Sequence, residues 1–70
     1  MDPKKNAKKI GKRLKELRGE RSQEEVATAI GISVSAVTMY ENGERVPRDD
    51  VKVKLAIFFN TTVQALFFDL

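Results

Sequence analysis

Hydrophobic positions along the chain recur mostly with helical spacing. From Lys8 to Arg18, Ile10, Leu14 and Leu17 fall at i, i+4 and i+7 and define one face, while Lys8, Lys9, Lys12, Arg13 and Lys15 coat the others. Gly11 costs that helix about 1 kcal/mol relative to alanine, and Gly19 suits its end. Next, in "SQEEVATAI", Ser22 and Glu25 have the spacing of a capping box, in which each side chain bonds the other's backbone amide. Val26, Ala27 and Ile30 form the inward stripe. Gly31 interrupts in a residue type that enters the left-handed region without strain. Ser33 can cap a third helix, Ser33–Asn42, whose inward residues are Val37 and Tyr40 and whose end is Asn42-Gly43.

The loop "ERVPRDD" follows, where Pro47 bars a continuous helix. "VKVKLAIFF" then carries two periods at once. Val51, Val53, Leu55 and Ile57 alternate with Lys52 and Lys54 as a strand would, whereas Val51, Leu55, Phe58 and Phe59 share a helical face. A lone strand would have no partner in this chain, so helix is expected. The last element, "TTVQALF", offers a second capping box from Thr61 to Gln64 and buries Val63, Leu66 and Phe67. The pattern predicts an all-α fold of five short helices. Residues 1–7, "MDPKKNA", lack an apolar period and read as a flexible basic arm carrying Lys4 and Lys5. Residues 8–70 form a single domain.

Composition narrows the picture. Seventy residues support one core, and a chain of this size buries roughly 60% of its unfolded surface. With no cysteine and no histidine, disulfide frameworks and Cys/His zinc sites are excluded. No apolar run approaches membrane-spanning length, and no apolar segment follows the first lysines as in a secretory signal, so a cytoplasmic location is expected. The net charge of +3 is unevenly spread: residues 1–21 carry +6 and residues 22–70 carry −3. Such an imbalance suits a polyanion partner, and equally a solvated lysine-rich end. Against this background, "GISVSAVTMYENG" stands out, because it holds no charge until Glu41.

The two helices Gln23–Ile30 and Ser33–Asn42 are joined by about three residues around Gly31. So short a link forces them to cross steeply and closely, with small Ala27 near the approach. Together, "IGKRLKELR…SQEEVATAIGISVSAVTMYENGERVPR" resembles the Cro/C1-type helix-turn-helix regulators, the group of phage repressors, Cro proteins and Xre-type regulators, over roughly residues 10 to 67. The resemblance implies a compact five-helix bundle of the phage-repressor DNA-binding domain type. It also implies a sequence-specific double-stranded DNA-binding transcriptional regulator, with repression the expected mode.

In that family's docking geometry the second helix of the pair lies in the major groove. Ser33, Val34, Ser35, Thr38 and Met39 would then face bases. Val34 and Met39 suit thymine methyls, and the serine and threonine hydroxyls can serve either base type. Gln23 matches a phosphate-binding glutamine that also braces the recognition helix. Asn42 and Arg45 match the backbone-following loop, and Arg48 matches a basic position near phosphate or the minor groove. Arg18 and Glu41 match a structural ion pair. The chain departs from the family pattern in a shorter helix 1–2 link, "LRGERSQ", and at Lys52, where an apolar residue is usual and helix 4 could be rotated or start later.

A homodimer is expected from the need to read two half-sites and from the apolar Phe67, Phe68 and Leu70. No catalytic constellation, cofactor motif or small-molecule effector site stands out, since Glu24 and Glu25 are accounted for by capping and the helix N-terminus. A signal would reach the protein through a regulatory protein partner or its own concentration. The competing reading is a protein-binding module (antitoxin, anti-repressor or adaptor) in which Val34 and Met39 grip another protein.

Overall fold

The computed structural model describes residues 3–70, with side chains from Asn6 onward. Five helices follow one another in it: α1 (Pro3–Arg18), α2 (Gln23–Ile30), α3 (Val34–Glu41), α4 (Asp49–Phe58) and a short wide-turned α5 (Gln64–Phe68). The described residues contain no strand, and none of their helices is long and apolar enough to cross a membrane. One core joins all five helices: Ile10 and Leu14 from α1, Val26, Ala27 and Ile30 from α2, Val37 and Tyr40 from α3, Val51, Leu55 and Ala56 from α4, and Leu66 and Phe67 from α5.

The caps explain the boundaries of α2 and α3. Ser22 Oγ accepts from the Glu25 amide at 3.0 Å, and Ser33 Oγ accepts from the Ala36 amide at 3.1 Å. The return half of the expected box at Ser22 is replaced, since the Glu25 carboxylate instead lies 3.9 Å from Arg21 Nε. Gly31 adopts φ 75°, and the chain reverses there while the Ile32 amide bonds the Ala27 carbonyl at 3.0 Å. The other end of the pair is closed in the same way. Glu44 N bonds Met39 O at 2.9 Å and Gly43 N bonds Tyr40 O at 3.2 Å.

Several expectations are corrected. The first helix begins at Pro3, not Lys8, so residues 3–7 of the expected flexible arm are helical, while Met1 and Asp2 lie outside the described residues. Proline is tolerated in a first helical turn, and buried Ala7 extends the stripe of Ile10 and Leu14 by one turn. Leu17 is exposed at the margin, because α1 leans on α3 through its Gly11 and Arg18 side. There Leu17 borders a surface groove with Arg13, Thr61 and Ala65.

The last cap moves by one residue, from Thr61 to Thr62. Asn60 ends α4 at φ 55°, and the Thr61 amide closes that end on the Ala56 carbonyl at 2.9 Å. The Thr62 hydroxyl is then left to accept from Ala65 N at 3.0 Å, while the Gln64 amide bonds Asp69.

The segment of mixed period is a helix, and its strand-like alternation now has a meaning. Val51 and Leu55 are buried with Ala56, Phe58 and Phe59 pack partly against the core, and Val53 and Ile57 point to solvent. Lys52 does not rotate the helix away. Its stem is largely covered, and its ammonium lies 5.7 Å from the Phe67 ring centroid, 5.2 Å from that of Phe68 and 3.8 Å from Asp49 Oδ1. Lysine can occupy an apolar position in this way, with methylenes packed and the charge over ring faces.

The tightest approach is between α1 and α3. A Cβ on Gly11 would lie 2.5 Å from both the Tyr40 and the Glu41 carbonyl oxygens. Those are backbone atoms and cannot turn aside. Gly11→Ala should therefore destabilise the fold by about 1–3 kcal/mol through overpacking, although alanine favours an isolated helix by about 1 kcal/mol. A thermal melt checks this; a variant that melts at or above wild type contradicts the close approach.

Candidate nucleic-acid interface

The helix pair α2–α3 presents one face of α3 outward. Along Val34–Glu41 the only ionisable carboxylate is Glu41, and its side chain is 4% exposed. The outward surface of α3 is consequently uncharged. Val34 is 42% exposed, Ser35 is exposed, and Met39 is half-buried at the edge of the same element. Ser33 caps the helix and is exposed beside them.

Glu41 is turned inward by a chain of hydrogen bonds through three helices. Arg18 Nε donates to Glu41 Oε2 at 2.7 Å and its Nη2 donates to Oε1 at 3.1 Å, a two-pronged ion pair. Arg18 Nη1 also donates to the Arg21 carbonyl at 2.8 Å, which ties down the short link between α1 and α2. Gln23 Nε2 donates to Glu41 Oε1 at 3.0 Å, and Gln23 Oε1 accepts from Thr38 Oγ1 at 2.8 Å. The Thr38 hydroxyl lies 3.1 Å from the Val34 carbonyl as well. No buried side-chain nitrogen or oxygen among the described residues lacks a partner.

This network holds the Arg18 guanidinium above its ordinary pKa. The hydrogen bond to Glu41 is the largest cause, desolvation opposes it, and the Glu41 charge adds to it. A raised pKa on a base means stability that is present at lower pH and lost only as pH rises through the folded value. For an arginine that lies far above neutrality, so deprotonation of Arg18 does not weaken the pair under ordinary conditions.

The expected site residues divide accordingly. Gln23, Thr38 and Val34 are brought together by direct bonds, with Ser33, Ser35 and Met39 on the same helix or its cap. The single Thr38 hydroxyl proton has two acceptors within reach, Gln23 Oε1 at the shorter distance and the Val34 carbonyl, and is not free to donate elsewhere. Asn42 and Arg45 are exposed at the end of α3 and in the following loop. Arg48 is the N-terminal cap residue of α4, with Nε 3.8 Å from Asp50 Oδ1. Sequence reasoning missed Gly11 as the residue that lets α3 approach α1, although a glycine inside a helical period was the available signal.

Breaking this part-buried pair from one side should be costly. Arg18→Ala leaves Glu41 without its cation and is expected to lose up to about 3–5 kcal/mol, the range for a fully buried pair, whereas Arg18→Met with Glu41→Leu should recover much of that loss. Denaturant melts of the single and double variants decide it. A single variant as stable as wild type would mean that the network carries no stability.

A family model described as helix-turn-helix matches residues 14–66, from the middle of α1 to α5. No curated protein and no solved structure matches the chain. The match covers well over half of the sequence and includes both helices of the pair, the turn at Gly31 and the loop through Pro47. The chain belongs to the Cro/C1-type, Xre-like helix-turn-helix family of DNA-binding regulators.

Proposed function

We propose that the protein is a sequence-specific regulator of transcription, acting as a repressor, which lays α3 in the major groove of double-stranded DNA as a homodimer. The observation that carries this reading is the uncharged outward face of α3, obtained by folding Glu41 into the Arg18–Gln23 network. A carboxylate on that face would meet the phosphates; Val34, Ser35 and Met39 do not. The two apolar side chains suit thymine methyls, and the Ser33 and Ser35 hydroxyls can donate or accept at base edges. Thr38 contributes by locking Gln23 in place.

Affinity in this reading comes largely from phosphate contacts, which position the protein without selecting sequence. A side-chain amide has two N–H donors. Gln23 gives one to Glu41 and can give the second to a phosphate oxygen. Asn42, Arg45 and Arg48 supply the remaining contacts from exposed positions. With no long polar side chain among the base-facing residues, DNA shape takes a larger share of the specificity.

Dimerisation draws on the C-terminal end, where Phe67 is buried but Phe68 is 60% exposed and Leu70 is also open. A second reading, a protein-binding module, has its own support in α4. Ile57 is 73% exposed one turn from exposed Val53, beside a shallow groove lined by Ala29, Lys54 and Phe58.

Selection from a randomised duplex library at physiological salt separates the two. The expected result is an enriched palindrome with half-site centres about 10 bp apart. No enrichment by folded protein would favour the protein-binding module. Within the DNA reading, Ser35→Glu should melt like wild type yet bind the selected duplex more weakly by about 1–3 kcal/mol, roughly 5- to 150-fold. Unchanged affinity would remove Ser35 from the interface.

A further inference from the structure

The end of α3 is seated on the first half of α1 at two points. One is Gly11 against the Tyr40 and Glu41 carbonyls. The other is Gly43, where a Cβ would lie 2.8 Å from Lys8 Cγ, 2.9 Å from Lys8 Cα and 3.1 Å from Lys8 N. Lys8 and Gly11 are three residues apart, neighbours on a helix surface. The stem of Lys8 thus passes directly beside the Asn42-Gly43 corner from which the loop to α4 departs. Lys8 is exposed, and among the described residues it takes part in no ion pair. The charges of the loop itself, Glu44 and Arg45, are exposed too. Neighbouring Lys9 lies on a different flank, where it borders a groove with Arg13, Glu16 and Leu70.

We propose that Lys8 is a DNA-phosphate contact, which joins Asn42 and Arg45 into one polar edge at the C-terminal end of α3. The assignment rests on the DNA reading above. Lysine is a compact charge on a flexible four-carbon stem, so the contact adds affinity and register without base preference. Gly43 then has two functions. It takes the left-handed conformation that ends α3, at φ 73°, and it leaves the space through which the Lys8 stem runs. Any side chain there would displace Lys8 from the loop.

The test is duplex binding at several salt concentrations by wild type, Lys8→Gln, Lys8→Arg and Lys9→Gln. Glutamine keeps the Cγ that packs at Gly43, so the change removes charge and spares the contact. Lys8→Gln and Lys9→Gln alter the net charge equally. Loss of one phosphate contact should reduce the slope of log affinity against log salt by about 0.9 for Lys8→Gln. The weakening should be by the same factor on selected and unrelated duplexes. Lys8→Arg should keep the wild-type slope, and so should Lys9→Gln. If Lys8→Gln keeps the wild-type slope, Lys8 is no contact while the DNA reading stands. If wild type binds no duplex at all, the DNA reading falls and this contact falls with it.

Discussion

The rest of the structure depends on where the Glu41 carboxylate goes. It sits at the end of the helix that faces outward, and it is held inside by Arg18 from α1 and Gln23 from α2. A carboxylate with so little exposure is tolerable only when it is paired and its lone pairs are engaged. That demand fixes the end of α1, the start of α2 and the end of α3 relative to one another. Through Thr38 it reaches back along α3 as well. The same constraint clears the outer face of α3 of charge. Stability and the character of the surface therefore follow from one arrangement.

Close backbone approach makes that arrangement possible. The ion pair spans two helices that meet at Gly11, where no side chain separates α1 from the last carbonyls of α3. The intrinsic helix cost of a glycine is offset by the packing that it permits. At α4, Lys52 solves a comparable problem with a different device. It lays its stem across the core edge and its charge over Phe67 and Phe68, which ties the short α5 to α4. Arg13 helps from α1 by donating to the Ala65 carbonyl at 2.6 Å.

Apart from Val34, the exposed large apolar residues lie outside α3. Val53 and Ile57 on α4, and Phe68 with Leu70 at the C-terminal end, lie in parts of the chain that the α2–α3 pair does not use. The division is physically sensible for a regulator. One surface can meet a polyanion while another remains available for a second chain.

By itself the sequence determined the local elements. Caps at Ser22 and Ser33, the reversal at Gly31, the stop at Asn42-Gly43 and the buried residues Ile10, Leu14, Val26, Ile30, Val37 and Tyr40 were all legible, because caps and periods act over three or four residues. The same range explains why local pattern alone places the cap of "TTVQALF" one residue off. Thr61 and Thr62 are equivalent locally, and only the closure of α4 onto Ala56 distinguishes them. Which flank of each helix meets a neighbour was decided by the tertiary structure. Leu17 left the core, Lys52 entered its edge, Thr38 turned toward Gln23, and Lys8 came to lie beside Gly43. Each of these depends on how helices far apart in the chain cross, and that is set by packing and by buried polar pairing across them rather than by anything within a single turn.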